Sequence, residues 1–140
     1  MAVKAKELRY AVDLGRGGAL REENGVELDV PAEWSPEHLL VAALLRCSLR
    51  SLDFHARRAG IAVASAAGSA RTLVTRRAED GRYATAEAEV ELDVRLVPEP
   101  GPDALAELLA KAERDCFVGA SLRITPTYRW TVNGRACGEA

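Results

Sequence analysis

Apolar residues recur along this chain with two different spacings. Leu8, Tyr10, Val12 and Leu14 alternate with Glu7, Arg9, Ala11 and Asp13, the period of a half-buried strand. A glycine-rich corner, Gly15-Arg16-Gly17-Gly18, follows, and Asn24-Gly25 marks a tight hairpin turn that needs positive φ. Val26, Leu28 and Val30 then alternate with Glu27 and Asp29, predicting another strand. After a short link at 31–34 the spacing changes. Residues 35–60 open with Ser35 as a possible cap, Pro36 at the first helical position and Glu37 where the positive helix end favours a carboxylate. They end on Arg57-Arg58 and a stop at Gly60. Between Leu39 and Leu49 only Arg46 and Ser48 are polar. A helix apolar on all sides is buried, either inside one domain or between two subunits.

The second half continues with strands. Residues 61–75 predict a long strand with a bulge or a close contact at Gly68. After a turn at 79–81, Ala84, Ala86, Ala88, Val90, Leu92, Val94 and Leu96 alternate with Thr85, Glu87, Glu89, Glu91, Asp93 and Arg95. One face of that strand packs and the other meets water, and its small alanines leave room for a helix. Pro98, Pro100 and Pro102 make a rigid connection. A second helix from about Asp103 carries Leu105, Leu108, Leu109, Ala112 and Cys116 on one face. A last strand spans 122–132, interrupted at Pro126, and 133–140 is expected to be a frayed tail. The order βββ-α-ββ-α-β describes a single α+β domain over residues 1–140, mostly antiparallel, around a long buried helix. One sheet face does not enclose such a helix, so dimerisation around the central helices is the simplest way to cover it.

With 140 residues, the chain can build one real core. Its formal net charge of −2 gives no electrostatic reason to expect nucleic acid. The central helix is too interrupted by charge to span a membrane, and the first ten residues lack an apolar signal-peptide core. A cytoplasmic protein is the expectation. In that compartment the three cysteines are not expected to form a permanent disulfide framework. No CxxC is present, and His38, His55 and Cys47 show no metal-ligand spacing.

Cys47 and Cys116 are the pair that can carry chemistry, because each lies on an apolar helical face in a different helix. If the faces meet, the sulfurs could approach disulfide distance. The other reading is two inert core thiols, since free cysteine is commonly just buried. A reactive Cys47 needs a cation, because burial alone raises a thiol pKa. Arg50 lies three residues on, Arg46 points away, and Arg16 can be placed only by the fold. Glu37 is ten positions before Cys47, roughly 15 Å along a helix. Serving one site with Cys47, it would have to come from a partner subunit; otherwise it is a carboxylate at a helix N-terminus. Cys137 is expected to be a spare exposed thiol.

Taken together, these positions resemble the OsmC/Ohr family of thiol-dependent peroxidases. Ser35-Pro36-Glu37-His38-Leu39-Leu40, through Ala42-Ala43 to Cys47, is similar to that family's P-E-x-L-L-x-A-A…C helix. Ala112-Glu113-Arg114-Asp115-Cys116 resembles its second-cysteine helix. Arg16 precedes Gly25 by nine residues, as the arginine of the Ohr branch precedes a glycine. Phe117-Val118-Gly119 stands where the family often has Pro and a hydroxyl residue, and the 31–34 link is shorter than in Ohr. The resemblance is therefore to the broad OsmC-like group. It implies an intertwined homodimer in which Cys47 attacks an organic hydroperoxide and Cys116 resolves the product. It further implies that Arg16 and Glu37 of the opposite subunit tune the thiolate, and that an external dithiol, with no bound cofactor or metal, restores the enzyme. Two other readings remain open: a catalytically weak OsmC-like dimer that binds a small apolar ligand, and a hotdog-type thioesterase, against which the cysteine-bearing helix at 103–116 argues.

Overall fold

The computed structural model describes residues 4–137. The chain divides into two compact units, Met1–Ser35 and Pro36–Ala140.

The N-terminal unit is an antiparallel meander of β1 (Val12–Leu14), β2 (Leu20–Glu22) and β3 (Glu27–Leu28). Its register pairs Val12 with Glu22 and Leu14 with Leu20. The hairpin expected at Asn24-Gly25 is present. Gly25 sits at φ +92°, and the Glu22 carboxylate accepts the backbone N–H groups of Asn24 and Val26 at 2.7 and 2.9 Å. The strand expected over 8–14 is shorter than its alternation suggests, because only 12–14 find a ladder partner in β2. Leu8, Tyr10, Val12, Leu14, Val26 and Leu28 are all exposed.

The C-terminal unit holds a mixed four-stranded sheet in the order β4-β5-β6-β7. Strands β4 (Ala62–Arg76) and β5 (Tyr83–Val97) are antiparallel, β6 (Thr127–Val132) runs parallel to β5, and β7 (Arg135–Cys137) returns antiparallel to β6. The long helix α1 (Pro36–Arg58) precedes the sheet, and α2 (Pro102–Arg114) with the short α3 (Phe117–Ser121) makes the crossover from β5 to β6. The alternation of β5 is realised: Ala88, Val90, Leu92, Val94 and Leu96 are buried while Glu87, Glu89, Asp93 and Arg95 are exposed. These residues form one core with Leu44, Leu52 and Ala56 of α1, Leu108, Leu109 and Ala112 of α2, and Trp130 and Val132 of β6. At Gly68 the close contact is real. Gly68 pairs with Leu92, and a Cβ there would lie 2.3 Å from the Glu91 carbonyl oxygen. The ladder irregularities fall elsewhere, at Val63/Ser65 and Leu73/Val74.

Helix α1 stops where expected, with Gly60 at φ +76° and the Ile61 N–H donating to the Ala56 carbonyl at 2.8 Å. Within the chain its buried side is Leu44, Ser48, Ser51, Leu52 and Ala56. Val41, Leu45 and Leu49 are only half-buried.

Four expectations need correction. Helix α2 does not run through Cys116. It ends at Arg114, Asp115 is its C-cap, and Cys116 adopts an extended φ/ψ of −75°/110° as the N-cap of α3. The last strand begins at Thr127, because α3 occupies 117–121 and Pro126 has no N–H to pair. The expected frayed tail contains β7: Asn133 and Gly134 turn the chain at φ 51° and 82°, and the Asn133 amide oxygen accepts the Leu96 N–H at 2.9 Å. The rest of that tail, 138–140, lies outside the described residues. Cys137, expected as exposed, is half-buried opposite Trp130 and packs against the core.

Candidate active site

Helix α1 presents Cys47, Arg50, Ser51, Phe54 and His55 along one stripe, at steps of three, four, seven and eight residues from the cysteine. Across from it lie Asp115 and Phe117, at the break between α2 and α3. Together these seven residues line a cavity of about 400 Å³.

The break also places the second cysteine. Cys116 is fully buried, Cys47 is half-buried, and both are free thiols. Cys116 lies near enough to act on the Cys47 thiol, so the two cysteines singled out in the sequence are brought near each other. Burial pushes the Cys47 thiol above its ordinary value. The Val118 N–H pulls it down, the Cys116 thiol beside it pushes it further up, and the Phe117 N–H pulls down. None of these neighbours carries a positive charge.

Cys116 is held by a polar chain. The Gly119 N–H donates to its Sγ at 3.4 Å, and Ser48 Oγ lies 3.7 Å away. Ser48 is 1% exposed and donates to the Leu44 carbonyl at 2.8 Å, so its oxygen accepts the Tyr128 hydroxyl at 2.9 Å. Burial raises the Tyr128 phenol above its ordinary value. A second clasp joins α1 to the break. His55 Nε2 lies 2.7 Å from Asp115 Oδ2, and Arg114 donates twice to the same carboxylate, at 2.9 Å each. The Arg114 hydrogen bonds, opposed by burial and helped by His55, hold Asp115 down at about 2.

Of the four residues singled out by resemblance, Cys47 and Cys116 are together. Glu37 lies exposed in the first turn of α1, ten residues from Cys47. Arg16 is exposed in the β1–β2 turn of the N-terminal unit, where the Gly15 N–H donates to the Ala19 carbonyl at 2.9 Å. Arg50 lines the cavity and Arg46 is exposed. The sequence did not reveal Ser48, Ser51, Tyr128 or the His55–Asp115 clasp. Only an Asp directly before the second cysteine could have hinted at the clasp. Among the described residues no helix is long and apolar enough to cross a membrane.

Comparison with known proteins agrees with this architecture. An OsmC-like protein of unknown function from Vibrio cholerae superposes with a TM-score of 0.71 at 17% identity, over 90% of this chain and 99% of that one. The organic hydroperoxide resistance protein OhrB of Bacillus subtilis gives 0.58 at 16% identity, over 89% and 96%. An organic hydroperoxide resistance protein of Elizabethkingia anophelis, crystallised with thiocyanate bound, gives 0.59 at 20% identity, over 92% and 96%. At these identities the likeness establishes the fold. No curated protein matches the sequence. The sequence does match the OsmC-like protein family over residues 29–131, and with the fold in agreement the chain belongs to that family.

Proposed function

We propose that this protein is a cysteine peroxidase that reduces organic hydroperoxides. The observation that carries the reading is the proximity of two free thiols, the fully buried Cys116 and the half-buried Cys47, with Cys47 lining a largely apolar cavity. The hydroperoxide resistance proteins among its structural relatives support it.

The Cys47 thiolate attacks the terminal oxygen of the hydroperoxide. A sulfur–oxygen bond forms and the oxygen–oxygen bond breaks. The organic part leaves as an alkoxide, which takes a proton to become the alcohol, and Cys47 becomes a sulfenic acid. Cys116 then attacks the Cys47 sulfur. The disulfide forms, and the sulfenic oxygen leaves as water with the Cys116 proton. An external dithiol reduces the disulfide and is itself oxidised.

Within one chain the net effect of burial and neighbours raises the Cys47 thiol, so activation needs a charge. We assign this to Arg16 of the partner subunit, oriented by Glu37 of that subunit, in an intertwined homodimer. The exposed apolar side chains of the N-terminal meander and the half-buried side of α1 support such an assembly.

The raised thiol favours a second reading, a dimer that binds a small apolar ligand without turnover. One experiment separates the two. Reduced protein is treated with an organic hydroperoxide, free thiols are blocked, and peptides are mapped by mass spectrometry. A Cys47–Cys116 link, with Cys137 still alkylatable, is expected. Cys47 remaining a free thiol would refute the peroxidase reading.

A further inference from the structure

Helix α1 carries two buried serines three residues apart, and they are satisfied differently. Ser48 does what a serine inside a helix usually does, donating back to the carbonyl four residues earlier, here Leu44 at 2.8 Å. Ser51 is 8% exposed and lies one turn after Cys47, yet its Oγ has no hydrogen-bond partner. Among the described residues it is the buried side-chain polar atom left in that state. Such groups are rare in folded proteins because each forfeits its interaction with water. Ser51 also lines the same cavity as Cys47. The two side chains follow one another on the same helix face, about 5–6 Å apart at Cβ. Phe54 and Phe117 add aromatic rings to the same lining, beside Arg50, His55 and Asp115.

We infer that Ser51 is a further catalytic residue of the proposed peroxidase, its hydroxyl donating a hydrogen bond to the oxygen that departs as alkoxide when Cys47 attacks the hydroperoxide. This rests on the peroxidase reading above. During attack, negative charge moves from the Cys47 sulfur through the transferred oxygen to the departing oxygen. The Ser51 oxygen is sealed from solvent one helical turn from the sulfur and has no competing partner, so a rotation about its Cα–Cβ bond brings the donor to that charge. In water such a donor would have to leave its hydration shell; here it waits unpaired. The donated hydrogen stays on Ser51, and the alkoxide takes its proton from solvent. The structural alternative is that Ser51 is a small residue chosen for packing, and the two differ in what removal of the oxygen does.

Ser51→Ala removes only that oxygen, Ser51→Gly provides a second variant lacking it, and Ser51→Thr keeps the hydroxyl. Single-turnover loss of the Cys47 thiol is followed with tert-butyl hydroperoxide, whose leaving alkoxide is strongly basic, and with peracetic acid, whose leaving carboxylate needs little help. Thermal melting is recorded alongside. Ser51→Ala is expected to slow oxidation by tert-butyl hydroperoxide at least about tenfold, with a penalty several-fold smaller for peracetic acid and a melting temperature not below that of the parent. Ser51→Thr should recover most of the lost rate. If Ser51→Ala does not fold, the ratio of the two penalties is read from Ser51→Gly. Equal slowing on both oxidants, or none, overturns the assignment while leaving the peroxidase reading in place. Parent protein that reacts with neither oxidant overturns both.

Discussion

Replacing Arg16 by Met removes a charge and keeps much of the stem's apolar surface. An ordinary cysteine near pKa 8.5 is only about 3% thiolate at pH 7. Burial and the neighbouring Cys116 push Cys47 higher, and every further unit removes another factor of ten, or about 1.4 kcal/mol. One cation about 4 Å away at an effective dielectric of 20 is worth roughly 4 kcal/mol before its own desolvation is subtracted. A single well-placed guanidinium can therefore outweigh the burial, and its loss should be felt in full. Arg16→Met is expected to raise the pKa seen in the iodoacetamide alkylation of Cys47. It should also slow hydroperoxide turnover at least about tenfold, the equivalent of about 1.4 kcal/mol. Arg50→Met is the control. Arg50 is exposed and lines the same cavity from the same helix, and its removal should do much less. If the charge comes from a partner subunit, dilution that splits the dimer should shift the alkylation profile of the unmodified protein in the same direction as Arg16→Met. The reverse ranking, with Arg50→Met the more damaging, would show that the thiolate is activated from within its own helix. The cross-subunit roles of Arg16 and Glu37 would then fall.

Two further outcomes follow from the scaffold. Gly68→Ala places a methyl 2.3 Å from the Glu91 carbonyl oxygen and 2.8 Å from Leu92 Cδ2, which should cost about 1–3 kcal/mol and lower the melting temperature by at least about 3 °C; an unchanged melting temperature would show that β4 and β5 can part there. Asp115 falls from 3.8 to about 2 on folding, so its contribution is complete above about pH 4 and fades as pH falls through 2. Urea midpoints for Asp115→Asn should therefore lose less between pH 5 and pH 2 than those of the parent, and identical acid limbs would refute the linkage.

The parts legible in the sequence are those fixed by local spacing. Five buried residues at period two announced β5, and Pro36, Glu37 and Gly60 bracketed α1 to within two residues. Gly68 signalled a close backbone approach because an interior strand glycine has few other uses. What failed depended on distant neighbours. Leu8 and Tyr10 have the strand alternation, but a strand needs a ladder, and β2 offers only three residues. Cys116 has the spacing of the α2 face, yet Asp115 is held by His55 from sixty positions away and Ser48 approaches Cys116 from α1. Ser51 reads as one more small polar residue on a helix until the missing partner of its oxygen is seen.

The end of α2 at Arg114 matters to the chemistry as well as the topology. Had the helix continued through Cys116 to Val118, the N–H groups of Phe117 and Val118 would have been spent on carbonyls four residues back. By stopping, the chain makes them the opening donors of α3, which have no helical acceptor of their own. Both then act on Cys47, lowering a pKa that burial and Cys116 raise. The same break turns Cys116 beneath α1, where its sulfur accepts the Gly119 N–H. The backbone of Phe117-Val118-Gly119 thus supplies two donors toward the first thiol and one toward the second, while the Phe117 side chain lines the cavity beside Cys47. A proline at position 117 would withdraw one of the two donors facing Cys47. Phe117→Pro should therefore raise the Cys47 alkylation pKa further, by a smaller amount than Arg16→Met. A fall in that pKa would show that the Phe117 N–H does not hold the thiolate.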